Sequence, residues 1–144
     1  MRRPKIVWGA LIVFLALGAA ACSGGSTGGS PTSGGSSTSI RVTLSEFKIN
    51  PSATTAASGS VTFMVTNDGK ATHEFVVLRT DKAAGALPVT GGKASEAGNI
   101  GETGDLAPGE SKTVTLDLKP GHYDFICNLP GHYMAGMQEG FEVR

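Results

Sequence analysis

Charge of one sign is what this chain most plainly lacks: Lys and Arg together number 12, and so do Asp and Glu. No basic surplus is left to neutralise a phosphate backbone, which argues against nucleic acid as a partner. Setting aside Arg2, Arg3 and Lys5 with the N-terminal segment that carries them leaves nine bases against twelve acids, a mildly acidic remainder. Long apolar runs are also scarce. The one candidate, Ile6 to Ala21, has sixteen uncharged and mostly apolar residues, short of the ~20 that a membrane-spanning helix needs. The single Trp, Trp8, lies inside that run, so any core must be built from Ile, Val, Leu, Phe and a few Met. No segment carries apolar residues at helical spacing over a helix's length. Scarcest of the chemically active residues are cysteine, with two, and histidine, with three.

What is present divides the chain into three parts. Residues 1–22, "MRRPKIVWGALIVFLALGAAAC", have a basic start, a short apolar stretch and small residues before a cysteine. That pattern reads as a secretory signal rather than a permanent span. "LGAAAC" resembles a bacterial lipobox, which implies that Cys22 is lipidated and becomes the new N-terminus. Ala19 stands where that motif usually has Leu, Val or Ile; ordinary signal cleavage would instead leave a secreted, soluble protein. Residues 23–39 hold seven Ser, six Gly, three Thr and one Pro. Such a stretch buries too little apolar area to fold and acts as a flexible tether with a reach of about 20–25 Å. A tether suits a domain held above a membrane by a lipid anchor.

Residues 40–144 read as all-β. In "SVTFMVTN", Val61, Phe63 and Val65 alternate with Thr62, Met64 and Thr66, and "SKTVTLDL" repeats the pattern with Val114, Leu116 and Leu118. "HEFVVLRT" is apolar on both faces at its centre, as in a fully buried strand. In "IRVTLSEFKI" the apolar parity shifts between Leu44 and Phe47, predicting a bulge or a change of partner near Ser45. Turn signals at 67–70, 107–110 and 119–122 separate the runs. The Gly- and Ala-rich stretch 81–105 reads as a long loop, with or without one short helix. Several short strands at this length predict an antiparallel β-sandwich.

The scarce soft ligands are not scattered. "CNLPGHYMAGM" places Cys127, His132, Met134 and Met137 within one loop. In "HYDFIC" the side chains of Tyr123, Phe125 and Cys127 share one strand face, so the thiol follows two aromatics into the core. The turn "NLPG" then brings His132 back beside it, and His73 opens another strand after the "NDGKAT" loop. Two imidazoles, one thiolate and a weak axial thioether suit a single copper ion cycling between Cu(I) and Cu(II). Zinc accepts the same donors, but its structural sites more often pair cysteines. His122 falls on the opposite strand face and reads as an exposed histidine outside the set.

"GHYDFICNLPGHYMAGMQEGFEV", with His73 upstream, resembles the C-terminal signature of the cupredoxins, the blue copper proteins that include plastocyanin and azurin. "LAPGESKTVTLDLKPGHYDFIC" is similar to their last strands, so the resemblance covers essentially all of 40–144. It implies a Greek-key sandwich with His73, Cys127, His132 and Met137 as copper ligands. Where plastocyanin- and azurin-like chains often have Asn after the first histidine, Glu74 stands here, which bears on the tuning of the site.

Three functions are weighed. A single-electron carrier is expected first, a monomer working outside the cytoplasm with redox proteins as partners. They would dock on the face around His132 formed by Pro130, Tyr133 and Met134. Copper delivery or storage is the alternative, although the chain has no Met-rich or His-rich exposed tract. An enzyme is not expected: a second, substrate-binding copper needs more than three histidines, and a dinuclear centre needs a second cysteine near position 131, which is Gly131.

Overall fold

A computed structural model describes residues 38–144. The signal segment with Cys22, and the tether as far as residue 37, lie outside the described residues. The strands are β1 (Thr38–Ser45), β2 (Lys48–Pro51), β3 (Thr55–Ala56), β4 (Gly59–Asn67), β5 (His73–Arg79), β6 (Val89–Thr90), β7 (Lys93–Ala94), β8 (Asn99–Leu106), β9 (Ser111–Leu118), β10 (Gly121–Ile126) and β11 (Gln138–Val143). β1 thus takes in Thr38 and Ser39, the last two residues of the Ser/Gly/Thr-rich stretch.

One sheet has four strands in the order β2-β1-β4-β9 and the other five in the order β3-β11-β10-β5-β8. They form the all-β sandwich expected from the alternating pattern. Two pairings, β1 with β4 and β3 with β11, run parallel, and the rest are antiparallel. Period two decides which side chains face inward. Val61, Phe63 and Val65 of β4 are fully buried, while Thr62 and Thr66 on the outer face meet the hydroxyls of Thr115 and Ser111 at 3.0 and 2.9 Å. Phe63 joins the two sheets. Its ring centroid lies 5.5 Å from Phe75, 5.3 Å from Phe125 and 6.0 Å from Phe141, all on the opposite sheet. Each such aromatic pair adds roughly 0.5–1.5 kcal/mol beyond its buried area.

β5 is buried on both faces, and the reason is a second cluster. Phe75 and Val77 point into the sandwich. Val76 and Leu78 point outward, where Leu87 and Ala94 of the 81–98 segment cover them together with Ile126 and Tyr133. This segment is not a helix. It carries the small hairpin β6–β7, with Val89 paired to Ala94 and Thr90 to Lys93.

Two further departures from the sequence reading have local causes. The parity shift near Ser45 is a tight hairpin, with Ser45 paired to Lys48 and Glu46 and Phe47 forming the turn. Phe47 takes a positive φ of 57° at the second central residue of that turn, a left-handed conformation that only glycine adopts without strain. The loop expected up to residue 105 ends early, because Asn99–Leu106 forms β8 at the edge of the larger sheet. "NIGETGDL" lacks alternation since only Leu106 of this edge strand is buried, and its pairing with β5 is interrupted by register shifts.

Candidate metal centre

β5 and β10 are neighbours in one sheet, and both deliver a ligand type to the same end of the sandwich. His73 is the first residue of β5, and Cys127 follows the last residue of β10. The loop before His73 is held by Asn67, which is fully buried. Its amide donates to the carbonyls of Ala71 and Leu106, both at 2.8 Å, and its Oδ1 accepts from Gly69 N–H at 2.9 Å. Above it, Glu46 accepts from the backbone N–H groups of Lys70 and Ala71. The Lys70 bond is the main cause holding Glu46 below its ordinary pKa.

The loop after Cys127 is closed by its own backbone. Cys127 N–H donates to Met137 O and Met137 N–H to His132 O, both at 3.1 Å. His132 N–H reaches Leu129 O at 3.0 Å, and Ala135 N–H reaches Gly131 O at 3.0 Å. Gly131 and Gly136 make these turns at φ 85° and 97°, where a side chain would be strained.

These elements bring three of the four expected donors into one cluster, with His73 and Cys127 buried and His132 half-buried. Nδ1 of His73 lies 3.3 Å from Nδ1 of His132. The Cys127 sulfur lies 3.3 Å from Nδ1 of His132 and 4.0 Å from Nδ1 of His73. A point equidistant from the three atoms is about 2.1 Å from each, against ~2.0–2.1 Å for metal–imidazole and ~2.3 Å for metal–thiolate bonds. The triangle therefore has the size a metal ion requires. Met137 is fully buried in the same core cluster as Cys127, and the two residues are joined through the backbone bond between them.

The protonation states agree with that use. Burial, and then the charge of His132, pushes His73 below the ordinary imidazole pKa, which favours the neutral form that ligates. Nδ1 of His73 faces the other two donors, and its Nε2 is buried without a hydrogen-bond partner among the described residues. Burial pushes the Cys127 thiol upward, opposed by backbone N–H groups. One of them, from Glu74, points at the sulfur at 3.4 Å. A cation between the three atoms would reverse the upward shift, so its uptake must release the thiol proton.

The surroundings revise the expected docking face. Pro130 and Met134 are exposed, Met134 at 65%. Tyr133 is not on the surface. Its ring fills the second cluster and its hydroxyl accepts from Leu87 N–H at 2.9 Å, because the loop's tight turn points it back under the 81–98 segment. Phe47 stands on this face instead, 45% exposed, with its ring edge-on to His132 at 5.4 Å. No signal in the sequence ties Phe47 to a loop some 85 residues away. His122 is half-buried rather than exposed, with Nδ1 3.0 Å from the Thr80 carbonyl.

A sandwich that holds two imidazoles and a thiol at one end, tied down by backbone bonds, defines a mononuclear soft-metal protein. The sequence profile of the Cupredoxin-like domain matches residues 9–137, and the chain belongs to that family. Among curated proteins it is 30% identical over 108 residues to the copper-resistant cuproprotein CopI of Rubrivivax gelatinosus, covering 73% of this chain. The chain spans 66% of that relative's length. Among solved structures, dithionite-reduced auracyanin from the photosynthetic bacterium Roseiflexus castenholzii is 27% identical. It covers 74% of this chain and 97% of its own, with a TM-score of 0.60. Rusticyanin from Thiobacillus ferrooxidans, 18% identical with a TM-score of 0.62 over 76% of this chain and 79% of its own, shares the fold. Family and donor chemistry together fit one copper ion at His73, Cys127 and His132, with Met137 beside them.

Proposed function

We propose that this protein is a type 1 copper electron carrier working outside the cytoplasm, with His73, Cys127, His132 and Met137 as the ligands. Bound copper supplies a one-electron couple. The protein's part is to hold the donors still, so that little reorganisation accompanies a change of charge. The observation that supports this most is the preset triangle of His73 Nδ1, His132 Nδ1 and Cys127 Sγ, tied down by backbone bonds on both sides. His132 is the one of the three that is half-buried rather than buried. Phe47, Pro130 and Met134 around it give an apolar surface suited to brief contact with a redox partner. The carrier is taken to be a monomer without catalytic activity, anchored through lipid on Cys22.

The resemblance to a copper-resistant cuproprotein favours a second reading, in which the same site serves copper handling. One pair of measurements separates the two. A carrier shows fast electron self-exchange in the copper-loaded protein and slow loss of Cu(I) to a competing chelator. A copper-handling protein gives up its metal readily and exchanges electrons slowly.

A further inference from the structure

Asn128, next to Cys127, is 1% exposed and yet has a partner for each polar group of its side chain. Its Oδ1 accepts from Ala94 N–H at 2.7 Å and its Nδ2 donates to Ala94 O at 3.0 Å. The second proton of Nδ2 goes to Glu96 Oε1 at 2.7 Å. The amide thus pairs with Ala94 as a neighbouring strand would, at a point where no strand of the larger sheet reaches β7. The backbone N–H of Asn128 donates to Glu74 Oε1 at 2.8 Å, while Glu74 N–H points at the Cys127 sulfur at 3.4 Å. Cys127, Asn128 and Glu74 therefore close a small hydrogen-bonded ring with the sulfur on it. The Asn128 side chain fastens that ring to the 89–96 segment, and Gly131 N–H to Gly92 O at 2.8 Å fastens the rest of the loop to the same segment.

We infer that Asn128 is a positioning residue for the metal centre: its side-chain amide locks the Cys127 end of the ligand loop to Ala94 and Glu96 and fixes where the sulfur sits. The inference rests on the reading of Cys127 as a metal ligand. Only an amide serves at this position, because the lock needs one acceptor and two donors in one planar group. A carboxylate of the same shape offers no donor and would face Glu96 with like charge. Nothing else in the loop replaces these contacts. The other hydrogen bonds around Cys127 run within the loop or to β5, and none of them reaches the 89–96 segment except through Gly131.

The test uses Asn128→Asp, Asn128→Asp with Glu96→Gln, and Glu96→Leu in the full chain. Two readouts are taken: the thiolate-to-copper absorption and EPR hyperfine splitting of the loaded protein, and the reaction of the Cys127 thiol with a neutral disulfide reagent in the copper-free protein. Asn128→Asp should speed the thiol reaction about tenfold, the equivalent of one lost buried hydrogen bond, and should change the EPR splitting. Adding Glu96→Gln returns a donor opposite the new carboxylate and should recover part of both effects. Glu96 is exposed, so Glu96→Leu will fold, and it should give a smaller change in the same direction. The inference is overturned if Asn128→Asp and Glu96→Leu lower global stability alone, with spectrum and thiol rate unmoved once unfolding is accounted for. Should Asn128→Asp not fold, Glu96→Leu decides by the same criterion. The thiol readout needs no copper. Failure of the copper reading therefore appears as a missing absorption band, apart from failure of the lock.

Discussion

Asp124 is a carboxyl group in an unusual place for a β-sandwich, the middle of a buried strand, and its titration should be visible in the stability of the fold. It lies in β10 between Leu78 of β5 and Gly140 of β11, fully buried, on the face opposite Cys127. Neither carboxylate oxygen meets a hydrogen-bond donor. Burial pushes its pKa from 3.8 up to about 6, with the charge of His122 pulling down and that of Glu139 pushing up. A group that binds its proton more tightly when folded stabilises the fold while that proton is bound. The contribution is therefore complete below about pH 3.8 and is lost as pH rises through about 6. From the two pKa values the whole contribution is about 3 kcal/mol, of which roughly 1.4 kcal/mol disappears between pH 5 and pH 8. The assay is urea unfolding of the copper-free protein at several pH values in that range, compared with Asp124→Asn. The comparison is needed because His73 acts with the opposite sign: burial lowers its pKa, and the stability this adds is lost as pH falls. The difference between the two proteins cancels that contribution. It should shift in favour of the variant by about 1–1.5 kcal/mol on going from pH 5 to pH 8. Parallel stability curves would show that the carboxyl is not held protonated by burial.

Four other outcomes are expected. Cys127→Ser should remove the intense visible band of the copper-loaded protein while leaving the sandwich folded, and a band that survives would exclude Cys127 as the thiolate ligand. Met137→Gln should lower the reduction potential measured by voltammetry, because an amide oxygen is harder than a thioether and favours Cu(II); Met134→Gln, at an exposed position, should shift it far less. Phe47→Gly should leave the domain more stable than Phe47→Ala by about 1 kcal/mol in thermal unfolding, since only glycine relieves the positive φ, and the reverse order would refute strain at that turn. Mass spectrometry of the membrane fraction should find diacylglyceryl-cysteine at residue 22, against which a soluble native protein with another N-terminus would count.

How much of this was legible in the sequence depended on which side chains face inward. β4 and β9 announce themselves because one face is apolar and the other polar, and β5 because both of its faces are covered. β8 was hidden for the same physical reason: an edge strand with exposed side chains needs no alternation, and its pairing comes from backbone groups that any residue supplies. The His73, Cys127 and His132 cluster was legible because Cys127 and His132 are close in sequence and His73 opens a neighbouring strand. Strand phase then fixed the face on which the thiol must lie.

The supporting contacts were not legible, since they join residues far apart by backbone atoms and amides rather than by chemically distinctive side chains. Phe47 against His132, Tyr133 beneath Leu87, and Asn128 on Ala94 each depend on how a turn or loop is folded back. This division has a consequence for the site. The donors decide which metal fits, while the frame decides how little they move, and a low reorganisation cost belongs to the frame. Glu74 stands where both meet. Its N–H touches the sulfur and its carboxylate accepts from Asn128, so the position where plastocyanin- and azurin-like chains often have Asn carries the link between β5 and the ligand loop. Glu74 supplies an acceptor for Asn128 N–H and sets a carboxyl group, its pKa raised by burial, near the Cys127 sulfur. When ionised, that negative charge would favour the more positive state of a bound ion, so Glu74 is placed to tune the centre while its hydrogen bonds hold the frame.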